Sequence, residues 1–443
     1  MQSLNRIHRT LAIASLPAFL ALSAAGLSAE ETKLNFGGAG WMQYSTIMKS
    51  SDTTNDRDMD HRYLVGSGAQ FSINVNPSEQ LRIEAGIGVG AGHNLAATTQ
   101  LQGGYAPFGA GPYVSNANFK YSFWSAENSG LFVRGGLFPY DYNPEAQNLG
   151  LYLLRGPVYP GFIISGFETK AVLPVANTLG LQVHHQAGGF QHDFLFTFET
   201  EFYPYWDMSP AYIASYNFGS ALRIGAGVNF YHLIAADSKL TRDTSKISID
   251  TIGAGTATPV FDTTIIPFSG TKVMANASFD IKSLFGGAGK LGAEDLKLYT
   301  EVAIIGLDNG KAYKKNYGPY SDRMPIMVGF NLPAFGFLER LSFEVESYKA
   351  HFIDDYSKFN HYSNPTPIPP SPLDTNYADD NIKWSLYGSK VIKDHIKFSF
   401  QLASDHYRPG IFRGYGDNNA PSNEAILFRP SDWYWTTKLA YFF

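Results

Sequence analysis

The sequence predicts an all-β protein, a transmembrane antiparallel up-and-down β-barrel of 16–18 strands with long outer loops and short periplasmic turns. Three features lead to this prediction: an apolar N-terminal leader, strand-length runs that alternate apolar and polar residues, and an aromatic final strand. The chain is 15% aromatic and only 16% charged. Because soluble domains carry about a quarter charged residues, much of the surface is expected to face lipid.

The leader has the build of a secretory signal peptide. Basic residues at Arg6 and Arg9 precede an apolar run over 11–25, and small residues follow it. We therefore expect a signal peptide over 1–29 and one barrel domain over 30–443. The alternative is an uncleaved anchor helix, although the apolar run is short for a bilayer span.

Beyond the leader, composition narrows the classes of protein further. No run of 18 apolar residues occurs, so the remaining crossing structure is a closed barrel, which pairs all its backbone groups internally. Loss of the leader removes Arg6 and Arg9 and no acidic residue, which lowers the formal charge from −5 to −7 and gives no reason to expect nucleic acid as a partner. The absence of cysteine excludes disulfides, cysteine-ligated zinc and a cysteine nucleophile, and no cofactor is expected.

Alternation with a period of two is the main structural signal. Over 81–89 the odd positions are apolar and the even positions are charged or glycine, as a strand between lipid and a wet interior requires. Runs of about ten residues match tilted strands that cross a bilayer. We predict seventeen strands on this basis, at 33–46, 65–76, 80–91, 113–124, 130–138, 162–173, 178–187, 192–203, 209–217, 220–232, 270–282, 295–307, 324–332, 338–349, 381–391, 395–404 and 433–443.

An odd count indicates one misassigned element, because bacterial single-chain barrels have an even number of strands. Long and short connections alternate from both termini and fall out of phase between 139 and 177. Either 148–155 is an eighteenth strand, or this region folds into the lumen and sixteen strands remain. The alternation slightly favours eighteen.

The final strand is the most specific motif. Counting back in twos from the C-terminus gives residues that are aromatic or apolar except for Thr437, namely Phe443, Tyr441, Leu439, Thr437, Trp435 and Trp433. This strand resembles the insertion signal of Gram-negative outer-membrane barrels of the porin type. The resemblance implies the barrel-assembly machinery and outer-membrane lipid as partners, the bacterial outer membrane as the location, and aromatic girdles at its two interfaces. The alternative is an ordinary last strand of a soluble sandwich.

Charged residues on the polar faces of the predicted strands are candidate pore-lining residues. Acidic and basic walls that face each other set a transverse field that favours small polar solutes. The alternative is that these charges pair with one another and only hold the wall together. The candidates are Arg82, Glu84, Arg134, Glu199, Glu201, Arg223, Asp280, Lys282, Lys297, Glu301, Glu344, Glu346, Lys383 and Lys397.

The Tyr- and Pro-rich region 139–161 is a candidate constriction. In porins that this chain resembles, one long loop folds inward and narrows the channel. The candidate residues are Asp141, Tyr142, Arg155 and Tyr159. The alternative is an extra strand and turn.

Evidence for metal or enzyme chemistry is weak. The spacing of Asp56, Asp58 and Asp60 suggests the start of a calcium loop, but the glycine and glutamate that such a loop requires are missing. The histidines at 184, 185 and 192 lack a carboxylate cluster and are interpreted as wall or turn residues.

A protease is the rival class of protein. Two Asp pairs and one Asp-His pair on one predicted rim resemble the site of omptin-type proteases, although such chains are much shorter; the pairs are Asp354-Asp355, Asp379-Asp380 and Asp405-His406. We expect the chain not to be an enzyme.

The sequence thus predicts a porin or channel for passive diffusion of small hydrophilic solutes. The alternatives are a non-conducting surface barrel used for adhesion or structure, and the rim protease. A homotrimer is compatible with a barrel of this size, but no sequence signature requires it. Neither the solute nor the ion selectivity follows from the sequence.

Overall fold

Sixteen antiparallel strands close into a single barrel in the computed structural model of the chain. The structure describes residues 32–51, 60–61, 63–94, 108–156, 176–200, 206–237, 242–243, 266–267, 269–285, 290–309, 319–349, 380–406 and 427–443. The predicted signal peptide lies outside these residues and stays a prediction.

The barrel strands follow the alternating runs of the sequence. They are β1 (Lys33–Lys49), β2 (Tyr63–Asn76), β3 (Leu81–Asn94), β4 (Phe108–Ala126), β5 (Ser129–Tyr140), β6 (Ala176–Ala187), β7 (Phe190–Phe198), β8 (Met208–Phe218), β9 (Leu222–Tyr231), β12 (Gly270–Asp280), β13 (Lys297–Asn309), β14 (Ile326–Asn331), β15 (Arg340–Ser347), β16 (Ile382–Ile392), β17 (Ile396–Ser404) and β18 (Trp433–Phe442). Two short strands, β10 (Arg242–Asp243) and β11 (Ile266–Pro267), pair with each other in a separate sheet.

Each barrel strand pairs with its neighbours along the chain, and the last strand closes on the first. Ala39 of β1 lies opposite Phe442 of β18, and the pairing runs on to Lys49 and Trp433 with one shift near the end. The closed ladder leaves no free sheet edge, which confirms the predicted antiparallel up-and-down barrel.

The slight preference for eighteen strands is wrong, because the described barrel has sixteen. Tyr140 at the end of β5 pairs directly with Ala176 at the start of β6, so no barrel strand lies between them. Region 148–155 is a coil with a short 3₁₀ helix, Tyr152–Leu154, rather than a strand. Residues 162–173 lie outside the described residues, and the closed wall passes directly from β5 to β6. With sixteen strands, long and short connections alternate around most of the barrel, except that the connections 281–296 and 310–325 are both sixteen residues long.

The short connections all meet at one rim. Two-residue turns at 127–128 and 188–189 and the turn at 393–395 lie at this end, together with both ends of the described chain. Two larger turns, 281–296 and 332–339, belong to the same rim and are hydrogen-bonded to each other. The strand ends that the long connections join lie at the opposite rim, as predicted.

Outward and inward faces of the wall differ sharply. Large apolar side chains face outward, and Met42 is 65% exposed, Phe194 44% and Phe343 41%. Next to them in sequence, Glu344 points inward and is buried. No helix among the described residues is long and apolar enough to span a membrane.

Candidate functional site: the barrel lumen and its inward segment

A segment over 141–156, which we call the inward segment, follows β5 and lies inside the barrel. Its apolar side chains are buried against inward-facing residues of strands β7, β8 and β12 to β14. The buried cluster includes Tyr142, Leu149, Leu151, Tyr152, Leu153, Leu154, Leu195, Ile213, Met274, Tyr299 and Met327. The inward segment is therefore packed against one half of the wall and occupies part of the lumen.

Glu301 of β13 is the first of three carboxylates that hold the inward segment. Its side chain is fully buried and accepts hydrogen bonds from Tyr142 Oη at 2.7 Å, Asn143 Nδ2 at 2.7 Å and the backbone N–H of Tyr152 at 2.8 Å. A buried carboxylate needs such donors, because an unpaired charge in a dry site is very costly. Both ends of the inward segment are thus tied to one side chain.

Glu344 and Glu346 of β15 hold the middle of the segment. Glu344 accepts backbone N–H groups of Gln147, Asn148 and Leu149 at 2.5, 2.9 and 2.9 Å. Glu346 accepts Tyr152 Oη at 2.9 Å and contacts His406 Nε2 at 2.6 Å. Glu344 thus satisfies three backbone donors of this coil that no sheet pairs, while Glu346 binds side chains.

Two cations, Lys272 and Arg155, hold the inward segment through its backbone carbonyl oxygens. Lys272 Nζ of β12 donates to the carbonyl oxygens of Leu153 at 2.8 Å and Arg155 at 2.7 Å. Arg155 itself donates back to the carbonyls of Asn148 and Gly150, which folds the segment into a compact bend. Gly150 has a φ of 82°, a left-handed conformation that favours glycine at this bend.

Ion pairs fix the segment near the short-connection rim. Glu145 lies 3.1 Å from Lys297 Nζ and 3.5 Å from Arg340, and both cations also contact Glu294 in the turn 290–296. Burial raises the pKa of Glu294, but Arg340 and Lys297 outweigh this effect and hold its pKa below the usual value.

The opposite wall carries a row of cations. Arg82, Lys120 and Arg134 lie directly opposite one another on β3, β4 and β5. Arg82 Nε contacts Glu84 at 2.6 Å, and Lys120 Nζ lies 4.1 Å from the centre of the Phe132 ring. The three cations outnumber the one carboxylate, Glu84, that contacts the row, so this side of the lumen is more positive than the side that carries the acidic anchors of the inward segment.

The remaining pore-lining candidates lie at several places. Arg223 faces inward and donates to Ser215 Oγ at 3.1 Å, and Glu199 is buried 3.7 Å from His232 Nε2. Lys383 is buried, pairs with Asp380 and donates to the Leu427 carbonyl. Lys397 shares the inward parity of β17, and Asp280 ends β12. Glu201 and the constriction candidate Tyr159 lie outside the described residues.

Lys282 requires a correction. The predicted strand 270–282 ends at Asp280, and Lys282 lies in a 3₁₀ helix, Ile281–Phe285, of the following turn. Its Nζ donates to the carbonyls of Ala293 and Asp295, so it stabilises the turn instead of lining the wall.

The acid-histidine pair of the rival protease hypothesis lies inside the barrel. Asp405 accepts Tyr434 Oη at 2.9 Å and Gln401 Nε2 at 3.1 Å, and it also binds Asn148 of the inward segment. His406 is bound to Glu346. Asp354, Asp355 and Asp379 lie outside the described residues.

The predicted metal-binding candidates do not form a metal site among the described residues. Asp60 accepts the backbone N–H of Ser50 at 2.6 Å, and Asp56 and Asp58 lie outside the described residues. Among the residues that are described, no group of three or more His, Asp or Glu side chains could hold a metal ion. His184 contacts Asp193 at 2.8 Å, and His192 contacts Tyr212 Oη at 2.5 Å.

Sequence reasoning missed several residues that organise the lumen. Lys120 and Lys272 both have the inward parity of their strands, so alternation alone could have identified them. No pattern in the sequence predicts that Tyr152 binds Glu301 and Glu346, because these contacts depend on how a coil packs against distant strands.

Comparisons with known proteins found similarity only at the level of structure. No protein-family model matches the chain, and no curated protein matches it. Solved structures of engineered variants of a Rhodopseudomonas blastica porin are similar to it. One is 9% identical with a TM-score of 0.43, and a triple mutant is 8% identical with a TM-score of 0.42; each comparison covers 93% of this chain and 100% of the other. The strand pairing of this chain itself closes the barrel.

Proposed function

We propose that the chain is a porin-like channel of the bacterial outer membrane, through which small hydrophilic solutes diffuse passively. The observation that carries this proposal is the opposite chemistry of the two faces of one closed wall. Aromatic and aliphatic side chains are exposed outside, while charged and amide side chains fill the inward positions. A soluble protein rarely exposes so much contiguous apolar surface, whereas a bilayer solvates it.

The lumen offers a path suited to polar solutes. A sixteen-stranded barrel encloses an aqueous channel unless it is plugged. Here the inward segment occupies one half, held by Glu301, Glu344 and Glu346, and the cation row of Arg82, Lys120 and Arg134 lies on the other side. Opposed charges across a narrowed lumen create a transverse field, which favours small polar molecules over apolar ones.

A non-conducting surface barrel is the second candidate, and one observation favours it. The side chains of the apolar cluster between the inward segment and the wall are buried and packed together, which leaves little room for water in this half of the lumen. In that case the long connections at one rim would carry the function, through adhesion or structural contacts.

Liposome swelling separates the two candidates. Purified protein is reconstituted in liposomes, which are then transferred to isosmotic solutions of sugars and amino acids of increasing size. A channel gives swelling rates that fall steadily as solute size increases. Swelling no faster than that of protein-free liposomes for every solute would contradict the channel and favour the non-conducting barrel.

A further inference from the structure

A cavity of about 450 Å³ lies at the short-connection rim, beside the turn 77–80 that joins β2 to β3. Lys33 of β1 and two residues of β4 complete its lining. Ligand pockets usually have volumes of about 300–1,000 Å³. The cavity therefore has room for a small organic solute.

Three cations line this cavity, namely Lys33, Arg82 and Lys120. The two lysines face the lumen, because their sequence neighbours Leu34 and Phe119 are exposed on the outer face of the wall. Arg82 and Lys120 lie directly opposite each other on β3 and β4, so their side chains start about 5 Å apart. Like charges at such positions repel each other, and an anion bound between them would remove this repulsion.

These cations are accessible and only partly neutralised. The side chain of Arg82 is 53% exposed and contacts Glu84 through Nε at 2.6 Å; a guanidinium has five N–H donors, so this contact leaves others for a ligand. Lys120 Nζ lies 4.1 Å from the centre of the Phe132 ring, and no carboxylate among the described residues pairs with it. Glu79 is the one acidic residue of the lining, so the cavity has a formal charge of +2, which stays positive when Glu84 is counted.

Neutral side chains of the lining present donors to the cavity. Ser78 Oγ accepts the backbone N–H of Leu81 at 3.1 Å, so its own O–H is left to donate. Gln80 Oε1 accepts Tyr121 Oη at 2.9 Å, so the amide nitrogen is the half of this side chain that is left for a ligand. Ser122 adds a further hydroxyl. A ligand that fits this cavity must therefore supply several acceptor oxygens together with negative charge.

A phosphate group meets both requirements. A phosphate monoester carries about −1.5 to −2 charges at neutral pH and presents three strong acceptor oxygens. Arginine and lysine both bind phosphate, arginine through paired N–H groups and lysine as a point charge. A monocarboxylate has a single charge and two oxygens, so it would leave part of the positive excess and some of the donors unsatisfied.

We propose that this cavity binds the phosphate group of a small soluble phosphate monoester, with the phosphate oxygens on Arg82, Lys120 and Lys33. The inference deepens the proposed function, on which it rests only for its biological role, because it names a class of solute for which the lumen has a binding site. The site lies at the mouth of the lumen that the short connections surround, so a solute that crosses the channel meets it at that end.

Equilibrium dialysis of isotope-labelled glycerol phosphate against the purified full-length barrel in a non-ionic detergent tests this proposal. We expect saturable binding that inorganic phosphate displaces and that glycerol and lactate displace poorly, because glycerol lacks the phosphate group and lactate carries a single charge. Arg82→Gln and Lys120→Gln should each weaken binding at least about tenfold, since the loss of a hydrogen bond between charged groups exceeds the ~1.4 kcal/mol that a tenfold change represents. Lys397→Gln is the matched control and should bind like the parent, because it removes a cation of the same inward parity near the same rim but outside the cavity.

Several results would overturn the site. Absence of saturable binding would do so, as would binding that Arg82→Gln and Lys120→Gln leave unchanged. An equal loss in Lys397→Gln would assign the binding to the general potential of the lumen instead of this cavity. Lys33→Gln, at the exposed start of β1, should also weaken binding and keeps the test valid if the other cavity variants do not fold.

The ligand class and the proposed function are tested separately. Displacement by lactate as effective as that by inorganic phosphate would overturn the phosphate class. Liposome swelling or conductance without binding of glycerol phosphate would contradict this inference and leave the channel intact. Binding of glycerol phosphate by a barrel that does not conduct would support the site and contradict the channel.

Discussion

At the scale of single residues, inward-facing carboxylates determine where the inward segment lies. Alternation along β13 and β15 predicts that Glu301, Glu344 and Glu346 face the lumen. Their partners could not be predicted, because they come from a coil about 150 to 200 positions away in the chain. The positions of charged residues in a sequence predict which face of a strand they occupy, whereas their pairing depends on packing in three dimensions.

Removal of the Glu301 carboxylate should loosen the inward segment. Glu301→Ala leaves Tyr142 Oη, Asn143 Nδ2 and the Tyr152 N–H without their acceptor. We expect higher and noisier single-channel conductance, and a loss of about 3 kcal/mol in unfolding free energy, since each buried unpaired donor costs about 1–3 kcal/mol. Urea unfolding and bilayer recording measure the two effects.

The matched control is Glu84→Ala, which removes another lumen-facing strand carboxylate, one whose contacts are with Arg82 and Asn118. It should leave conductance noise close to that of the parent. Equal behaviour of the two variants would show that Glu301 does not anchor the segment.

Gly38 is a second residue with a specific role, at the point where the barrel closes. A Cβ at Gly38 would lie 2.4 Å from Phe443 Cζ and 2.7 Å from the Gln70 carbonyl oxygen, whereas one at Gly40 would have its nearest contact at 4.0 Å. Gly38→Ala should therefore destabilise the closed barrel by about 1–3 kcal/mol, as overpacking does, while Gly40→Ala should be tolerated.

The folded fraction after assembly in detergent, measured by the shift of unheated protein on SDS gels, compares these two alanine variants. A folded fraction that is equally high in both would contradict the closure contact between Gly38 and the terminal Phe443.

At the scale of elements, local pattern and chain connectivity differ in what they can predict. Sixteen of the seventeen predicted strands form the barrel, because each has one apolar and one polar face. The region 162–173 was predicted on the same pattern, yet β5 pairs with β6 without it. Alternation describes a single strand and contains no information on its neighbours, so the strand count could be settled only by the pairing.

The turns at the short-connection rim hold each other through Asp295. Its carboxylate accepts backbone N–H groups of Gly292 at 2.8 Å, Ala334 at 3.0 Å and Phe335 at 3.0 Å, which joins the turn after β12 to the turn after β14. Burial raises the pKa of Asp295, but these three hydrogen bonds outweigh it and the pKa is lowered.

Asp295→Asn should lower the unfolding free energy by about 1–2 kcal/mol near neutral pH, because it removes the charge and one acceptor. The lowered pKa means that the contribution of Asp295 is complete above the unfolded value, about 3.9, and is lost as the pH falls through the folded value. The difference between parent and variant should therefore shrink as urea unfolding is repeated from pH 6 down to pH 3.

Asp394→Asn serves as the control, since Asp394 is exposed in the turn 393–395. A stability difference between parent and Asp295→Asn that stays constant across this pH range would contradict the ionised, hydrogen-bonded role of Asp295.

At the scale of the whole molecule, the proposed channel depends on one closed wall with an apolar outer face and a polar inner face. Exposed residues such as Phe194 and Phe343 would face lipid, and buried polar ones such as Glu344 would face the lumen. This much follows from the sequence, since alternation sets the faces. The asymmetry of the lumen does not, because it results from the packing of the inward segment against strands that are distant in the chain.

Single-channel recording in planar bilayers tests the central claim most directly. The purified parent protein should insert and produce discrete, reproducible conductance steps, as a water-filled lumen that is narrowed but not closed by the inward segment requires. Bilayers into which the folded protein has demonstrably inserted, but which stay silent at every voltage, would contradict the channel.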